Sequence, residues 1–378
     1  MNTNRLGSRQ RLKHVVVIGC FSLVLCIFVC SLQHQIPSIV QTKAIVNRTK
    51  VILLWTTWFG DRLWFHSKSQ IGRHLSKAEL CPYTDCVFTN DQSRLKEADV
   101  VLFHYNDAPN WPRTRYSHQY YAHHNHEPPG DRGLFTFLGK YEGRINITIS
   151  YRHDADLYVP YAVLLPVKNS LVYKPRIPLA SKRKMAVWPV GHCSTSSKRE
   201  AYVRELSKYI DVDIYGTCGT HRCPKWRWNS CFKSWERAYK FYLSFENNIC
   251  RDYATEKLFL PLGYELIPVV LGGGNYSRDA PPHSVIDVRD FDSPKDLAQF
   301  LIKLAADEKG YYGYFEWKRK FKTVQMLPWF TCRLCEALHR NTFGHKPAKT
   351  HYADYWFGTN DEVCDNQLVP RMRKAGGW

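Results

Sequence analysis

Residues 245–257 read FENNICRDYATEK, a short stretch that holds Glu246, Asn247, Asn248, Arg251, Asp252, Tyr253, Glu256 and Lys257 between strongly apolar neighbours. These groups could bind an anionic, hydroxyl-rich ligand. Lys257, with Arg199 upstream in SSKREAYVREL, can hold a diphosphate, while Asn247, Tyr253 and Glu256 can hydrogen-bond hydroxyls. A solvated loop capping a helix would have the same composition. Placement bears on the choice. YKFYLS (239–244) upstream reads as a buried strand, Leu258, Phe259 and Leu262 suggest a short helix, and LIPVVLGGG (266–274) is a second strand closed by glycines. The loop then lies in a βαβ unit at the carboxyl end of a strand, where ligands bind in open α/β sheets.

The rest of the chain repeats this grammar. VILLWTTW (51–58), DCVFTND (85–91), ADVVLFH (98–104), LFTFLGK (134–140) and INITISY (145–151) read as strands of a first α/β block. Pro160, Pro166, Pro175 and Pro178, then the basic SKRK run at 181–184, read as a linker. In a second block, MAVWPVG (185–191), VDIYG (212–216) and SVIDVRDF (284–291) are strands, and SKREAYVRELSKY (197–209) is a basic amphipathic helix. Ser293 and Pro294 set the N-cap and first turn of a helix over 295–306, and aromatic-rich helical sequence continues to about Arg340. Pro261 and Gly263 should shorten or kink the helix after the polar loop. The expected organisation is α/β, with a first domain over 50–165, a linker over 166–184, a second domain over 185–345 and a tail over 346–378.

The N-terminus sets the compartment. Arg5, Arg9, Arg11, Lys13 and His14 precede an uncharged run at 15–32, VVVIGCFSLVLCIFVCSL. At about 1.5 Å per residue this helix would span about 27 Å, close to a thin bilayer core. Gln33, His34 and Gln35 follow in place of a small-residue cleavage site, so the run reads as an uncleaved signal anchor with a 1–14 cytosolic tail, a 33–49 stem and a luminal body. Asn47, Asn146 and Asn275 head glycosylation sequons. Ten of the 13 cysteines lie outside the anchor run, an even number suited to disulfides in an oxidising lumen. Cys332-Arg-Leu-Cys335 could instead be redox-active or half a zinc site, and Cys218, Cys223 and Cys231 could bind zinc, but disulfides fit the compartment better. His118, His123, His124 and His126 lack a regular metal-ligand spacing and read as surface residues on a loop. The net charge of +19 invites a nucleic-acid reading, which the anchor and the dispersal of the basic residues exclude; a basic cleft for an anionic substrate remains compatible.

A two-domain α/β body on the luminal side of a signal anchor implies a glycosyltransferase of the Golgi membrane, single-pass and type II. Transfer from a sugar nucleotide needs cations on the diphosphate, polar groups on the hydroxyls and a base for the attacking hydroxyl. YKFYLSFENNICRDYATEKLF, followed by IPVVLGGGNY, APP and DFDSPKDLAQFL, closely resembles the α1,3-fucosyltransferases of glycosyltransferase family 10, with an invertebrate look. Their signature has the form F-x-L-x-F-E-N-S-x-x-x-D-Y-x-T-E-K, then V-P-V-V-x-G; the match covers about 199–317, with weaker similarity back to about residue 51.

This resemblance implies a GT-B fold, with two Rossmann-like domains facing a cleft behind one N-terminal transmembrane helix, and an inverting mechanism. The first domain would bind the acceptor and the second GDP-fucose. Arg199, Asn247, Tyr253, Glu256 and Lys257 match donor-site positions, and Glu127 in HNHEPPG, ahead of YRHDAD, is the best match to the base. Pro128-Pro129 departs from the usual S-P there, and the adjacent histidines are alternative bases. Asp154-Ala155-Asp156 mimics a metal-binding Asp-x-Asp, but the resemblance places it in the acceptor domain, so no catalytic metal is assigned. GDP-fucose is then a substrate with no obligatory cofactor, Mn or Mg at most aiding GDP release. In the family, cysteines near the two ends of the luminal region bridge, a role for Cys81 and Cys86 with Cys332 and Cys335; Cys250 would pair with one of Cys218, Cys223, Cys231 or Cys364. The implied activity is transfer of fucose to the 3-hydroxyl of N-acetylglucosamine in glycoprotein or glycolipid glycans, on an outer lactosamine-type unit or on the innermost N-glycan residue. A luminal glycan-binding pseudoenzyme of the same fold is the non-enzymatic alternative.

Overall fold

The computed structural model describes residues 48–62, 64, 82–104, 110–129, 139–167, 173–325, 330–360 and 362–378. The first sheet is parallel throughout, in the order β2-β1-β3-β4-β5-β6. Its strands are β1 (Lys50–Leu54), β2 (Cys86–Thr89), β3 (Val100–His104), β4 (Tyr120–Asn125), β5 (Ile147–Ser150) and β6 (Leu157–Tyr158). Strand β1 shows why both faces are covered. Ile52 and Leu54 enter one apolar cluster and Val51 and Leu53 another, so a continuous apolar run serves two cores.

From β7 (Ala162–Pro166) the chain enters the second sheet, parallel in the order β12-β11-β10-β8-β9. In sequence it runs β8 (Lys184–Pro189), α1 (Arg199–Leu206), β9 (Val212–Tyr215), α2 (Trp228–Ala238), β10 (Tyr239–Phe245), α3 (Glu256–Leu262), β11 (Ile267–Leu271), α4 (Tyr276–Asp279) and β12 (Ile286–Asp287). Helices α5 (Pro294–Ala306) and α6 (Glu308–Gly313) follow, then β13 (Phe321–Gln325), which pairs antiparallel with β7. The Ser293 side chain caps α5 by accepting from the Asp296 N–H, with Pro294 in the first turn. Helix α3 ends at Leu262, one residue past Pro261 and just before Gly263.

Three further helices set the domain limits: α7 (Phe330–His339), α8 (Tyr352–Phe357) and α9 (Leu368–Gly376). Phe330, Leu334 and Leu338 of α7 cover one face of the first sheet, and Tyr352, Trp356 and Phe357 of α8 cover the other. Val369 of α9 returns to the core of the second sheet. The sequence-based limits are corrected accordingly. Residues 330–357 belong to the first sheet, whose faces would otherwise be bare, and 346–378 is no tail. The 166–184 stretch is no free linker either, because the buried Glu265 carboxylate accepts from the Tyr173 hydroxyl and from the Arg176 and Ile177 N–H groups at 2.8, 2.8 and 3.1 Å.

Disulfides reinforce the crossings. Cys86 pairs with Cys335, tying β2 to α7, and Cys250 pairs with Cys364, tying the polar loop to the segment before α9. Cys193–Cys218 joins the loops after β8 and β9, and Cys223–Cys231 ties the loop after β9 to α2. Cys332 is disulfide-bonded, while Cys81 lies outside the described residues.

Other expectations change. The histidine segment is no surface loop: YYAHHN forms β4 inside the sheet, with His123, His124 and His126 buried and His118 exposed. SVIDVRDF supplies two strand residues before a 3-10 turn at Val288–Asp290, and the helical sequence expected up to residue 340 is interrupted by β13. Most of LFTFLGK, the anchor run at 15–32, the stem up to residue 47 and the Asn47 sequon lie outside the described residues. Among the described residues no helix is long and apolar enough to cross a membrane.

Candidate active site

The loop after β10 is held from several sides. Arg199, the first residue of α1, is 2% exposed and donates through Nη1 to the Phe245 carbonyl at 2.5 Å and through Nη2 to the His192 carbonyl at 3.3 Å. Ser197 Oγ donates to the Glu246 carbonyl and the Ser197 N–H to the Asn247 carbonyl, at 2.8 and 3.0 Å. On the far side Gly273 comes so close that a Cβ there would sit 2.1 Å from the Cys250 carbonyl oxygen. No other residue type allows that approach. Thr255 caps α3, its hydroxyl accepting from the Lys257 N–H at 3.3 Å.

These restraints shape a cavity of about 500 Å³ at the carboxyl ends of β8, β9 and β10. Arg199, Asn247, Glu256 and Lys257 line it, together with His192, Thr217 and the aromatic side chains of Tyr215, Trp228 and Tyr242. Two buried polar atoms here, Arg199 Nε and Asn247 Oδ1, have no hydrogen-bond partner. Buried polar atoms normally find one, so a polar ligand fits this wall. Tyr253 is placed differently: it is 2% exposed, its ring lying 5.1 Å from that of Tyr151 and 6.3 Å from that of Tyr161, in a wall against the first domain.

The charges form one system. Lys257 Nζ pairs with Glu256 Oε1 at 3.0 Å and Glu246 Oε2 at 3.2 Å. Burial works against the Lys257 charge, but the two carboxylates outweigh it and hold its pKa above the ordinary lysine value. Burial likewise opposes the charge on the half-exposed Glu256, which Lys257 overcomes, so its pKa is lowered. For Glu246, 1% exposed, burial dominates and the pKa is raised. Glu246 belongs to this charge system although the resemblance marks only its neighbour Asn247 as a donor-site position.

Glu127 lies two residues past the end of β4, its N–H donating to Asn125 Oδ1 at 2.7 Å. It is half-buried, and burial raises its pKa, with Glu256 and Glu246 adding to the effect and Lys257 opposing it. The structure thus brings this first-domain carboxylate within electrostatic reach of the second-domain charges. Across the same cleft, the His153 N–H donates to Asp252 at 3.2 Å, His153 Nε2 meets Asp279 at 3.0 Å and Arg251 pairs with Asp154 at 3.1 Å.

Remaining candidates divide. Asp154 is occupied by Arg152 and Arg251, and Asp156 by Lys346, Lys349 and Thr148, so the Asp-x-Asp stretch is engaged in ion pairs. The Asn146 amide is buried, accepts from the Tyr121 N–H and donates to the Lys346 carbonyl at 2.7 Å, which corrects its reading as a glycosylation site in the folded chain. Asn275 is exposed, with the Ser277 hydroxyl donating to its side chain at 2.7 Å, at the rim of a separate cavity of about 860 Å³.

Two parallel α/β halves with a polar cavity at the strand ends of the second give the GT-B architecture. Residues 47–162 match the family model "Fucosyltransferase, N-terminal" and residues 179–353 match "Glycosyltransferase family 10 (fucosyltransferase) C-term". The chain is 36% identical over 343 residues to alpha-(1,3)-fucosyltransferase C of Drosophila melanogaster, covering 84% of this chain and 80% of that protein. It is 34% identical over 307 residues to the Homo sapiens 4-galactosyl-N-acetylglucosaminide 3-alpha-L-fucosyltransferase FUT5, covering 78% and 77%. A crystal structure of an alpha1,3-fucosyltransferase with GDP superposes with a TM-score of 0.50 at 12% identity, covering 83% of this chain and 96% of that one, a likeness of fold. The chain belongs to glycosyltransferase family 10, the fucosyltransferases.

Proposed function

We propose that this enzyme is an inverting α1,3-fucosyltransferase that moves L-fucose from GDP-β-L-fucose to the 3-hydroxyl of N-acetylglucosamine in glycoprotein or glycolipid glycans. The observation that carries the reading is the convergence of Arg199, Asn247, Glu256 and Lys257 on one cavity, with Glu127 of the other domain in electrostatic reach of Glu256 and Lys257. Arg199 and Lys257 stabilise the charge that grows on the departing GDP. Glu256 and Asn247 hydrogen-bond hydroxyls of fucose or ribose, and Tyr253 backs the loop. Glu127 takes the proton as the acceptor oxygen bonds to fucose C1 and the bond from C1 to the phosphate oxygen breaks. Attack from the face opposite GDP turns a β-linked donor into an α-linked product. A base with a raised pKa suits this step near neutral pH.

The acceptor we favour is an outer lactosamine-type unit, in keeping with the galactosyl-N-acetylglucosaminide named for FUT5. Core fucosylation of the innermost N-glycan residue is the alternative, chosen by the loops between residues 55 and 130. The apolar run at 15–32 supports a single-pass type II protein of the Golgi membrane with a luminal catalytic body and a glycan on Asn275. Because Asp154 and Asp156 are tied to cations, Mn or Mg would act on GDP release rather than at that pair. The test is transfer of labelled fucose by residues 44–378 to lactosamine and to an intact N-glycan glycopeptide. Transfer is expected with the wild type and lost in Glu127→Ala and Lys257→Ala. Failure of the wild type to transfer to any acceptor while still binding GDP would favour a pseudoenzyme.

A further inference from the structure

We propose that Glu246 is a positioning residue of the donor site, its carboxylate fixing the Lys257 ammonium from behind so that Lys257 meets the diphosphate already oriented. The inference rests on the reading of this cavity as a GDP-fucose site.

The geometry is specific. Glu246 follows β10 directly, and its N–H donates to the Leu271 carbonyl at 2.8 Å while its own carbonyl accepts from Ser197 Oγ at 2.8 Å. Oε1 accepts from the Thr255 N–H and hydroxyl, each at 2.9 Å, and Oε2 stands 3.2 Å from Lys257 Nζ. Gly272 makes the room, since a Cβ there would sit 3.0 Å from Glu246 Cγ. A buried carboxylate is costly unless it is paired and hydrogen-bonded, and Thr255 caps α3 by its own hydroxyl. What the charge of Glu246 adds is the hold on Lys257. Anchored there and on Thr255 Oγ1 at 3.0 Å, Lys257 does not depend on Glu256 alone, and the half-exposed Glu256 can turn to a ligand hydroxyl.

Glu246→Gln separates charge from shape, because a glutamine oxygen can still accept from Thr255. GDP binding is measured by calorimetry, across pH, for the wild type, Glu246→Gln, Lys257→Gln and the double variant, with thermal melts alongside. The expected result is a loss of about 10-fold or more in Glu246→Gln. The double variant should then bind no worse than Lys257→Gln, and the alkaline loss of affinity should move to lower pH in Glu246→Gln. Unchanged affinity in Glu246→Gln, or losses that multiply in the double variant, overturns the inference, as does a lowered melting temperature without a change in the pH profile. Should Glu246→Gln not fold, Glu246→Asp enters the same cycle, and its losses must again vanish once Lys257 is gone. A wild type that binds no GDP overturns the functional reading itself, which the wild-type arm reports before any variant is compared.

Discussion

Glu127 carries a testable consequence at the scale of one residue. Burial, with Glu256 and Glu246 nearby, raises its pKa above the ordinary 4.5, so it keeps its proton at a pH where a free glutamate has lost it. As the proposed base, Glu127 must be deprotonated to act, and the rate is therefore expected to fall as pH drops through this raised value. The acid limb of the kcat/KM profile should lie above pH 4.5. Glu127→Gln should lower kcat by about 10²–10⁴-fold while GDP affinity stays within a few-fold, which steady-state kinetics and calorimetry would read separately. An unchanged rate would hand the proton transfer to another group.

At the scale of elements, the cavity lined by Arg199 and Lys257 depends on how closely the loops after β10 and β11 approach. Gly273→Ala would drive a methyl group into the Cys250 carbonyl, against a loop that the Cys250–Cys364 disulfide prevents from yielding freely. We expect a destabilisation of about 1–3 kcal/mol and weaker GDP binding, measured by denaturant melts and titration. Strand β4 shows the reverse case, of poor strand sequence kept in place. YYAHHN sits between β3 and β5, its ring at His123 packed 4.6 Å from Tyr141 and that of His124 4.7 Å from Trp58. Packing on both sides overrides what a run of histidines suggests.

The whole molecule inherits a pH limit from that strand and from His126, which follows it. His126 is buried and its pKa is pushed down to about 4, and His123 and His124 are held well below the ordinary 6.5. The unfolded chain takes up these protons first as pH falls below 6.5, so stability declines from there towards pH 4, by roughly 3 kcal/mol for His126 alone. Chemical denaturation between pH 7 and pH 4.5 should show the loss, and His126→Leu should reduce it by the share of His126. The chain crossings impose a second condition. Deleting residues 326–378 removes Phe330, Leu334, Leu338, Tyr352, Trp356 and Phe357 from the two faces of the first sheet. Large apolar side chains contribute about 1.5–3 kcal/mol each when buried, against a net stability of about 5–15 kcal/mol. The truncated chain is expected to be insoluble, as size-exclusion chromatography of the expressed fragment would reveal.

The sequence by itself determined the strand-loop-helix order around FENNICRDYATEK, the α/β class and four of the residues that line the cavity at the strand ends of the second sheet, because apolar periodicity and a dense local motif are encoded within a few consecutive positions. The shortened helix at Pro261 and the Ser293 cap were legible for the same reason. Tertiary structure alone decided that residues 330–357 close the first sheet, that the β4 histidines are interior, that Asn146 is engaged and that Glu246 stands behind Lys257. Each of these depends on partners tens to hundreds of positions away or on which side of a backbone a group faces. Burial and long-range pairing are properties of the packed chain, and no local window of sequence carries them.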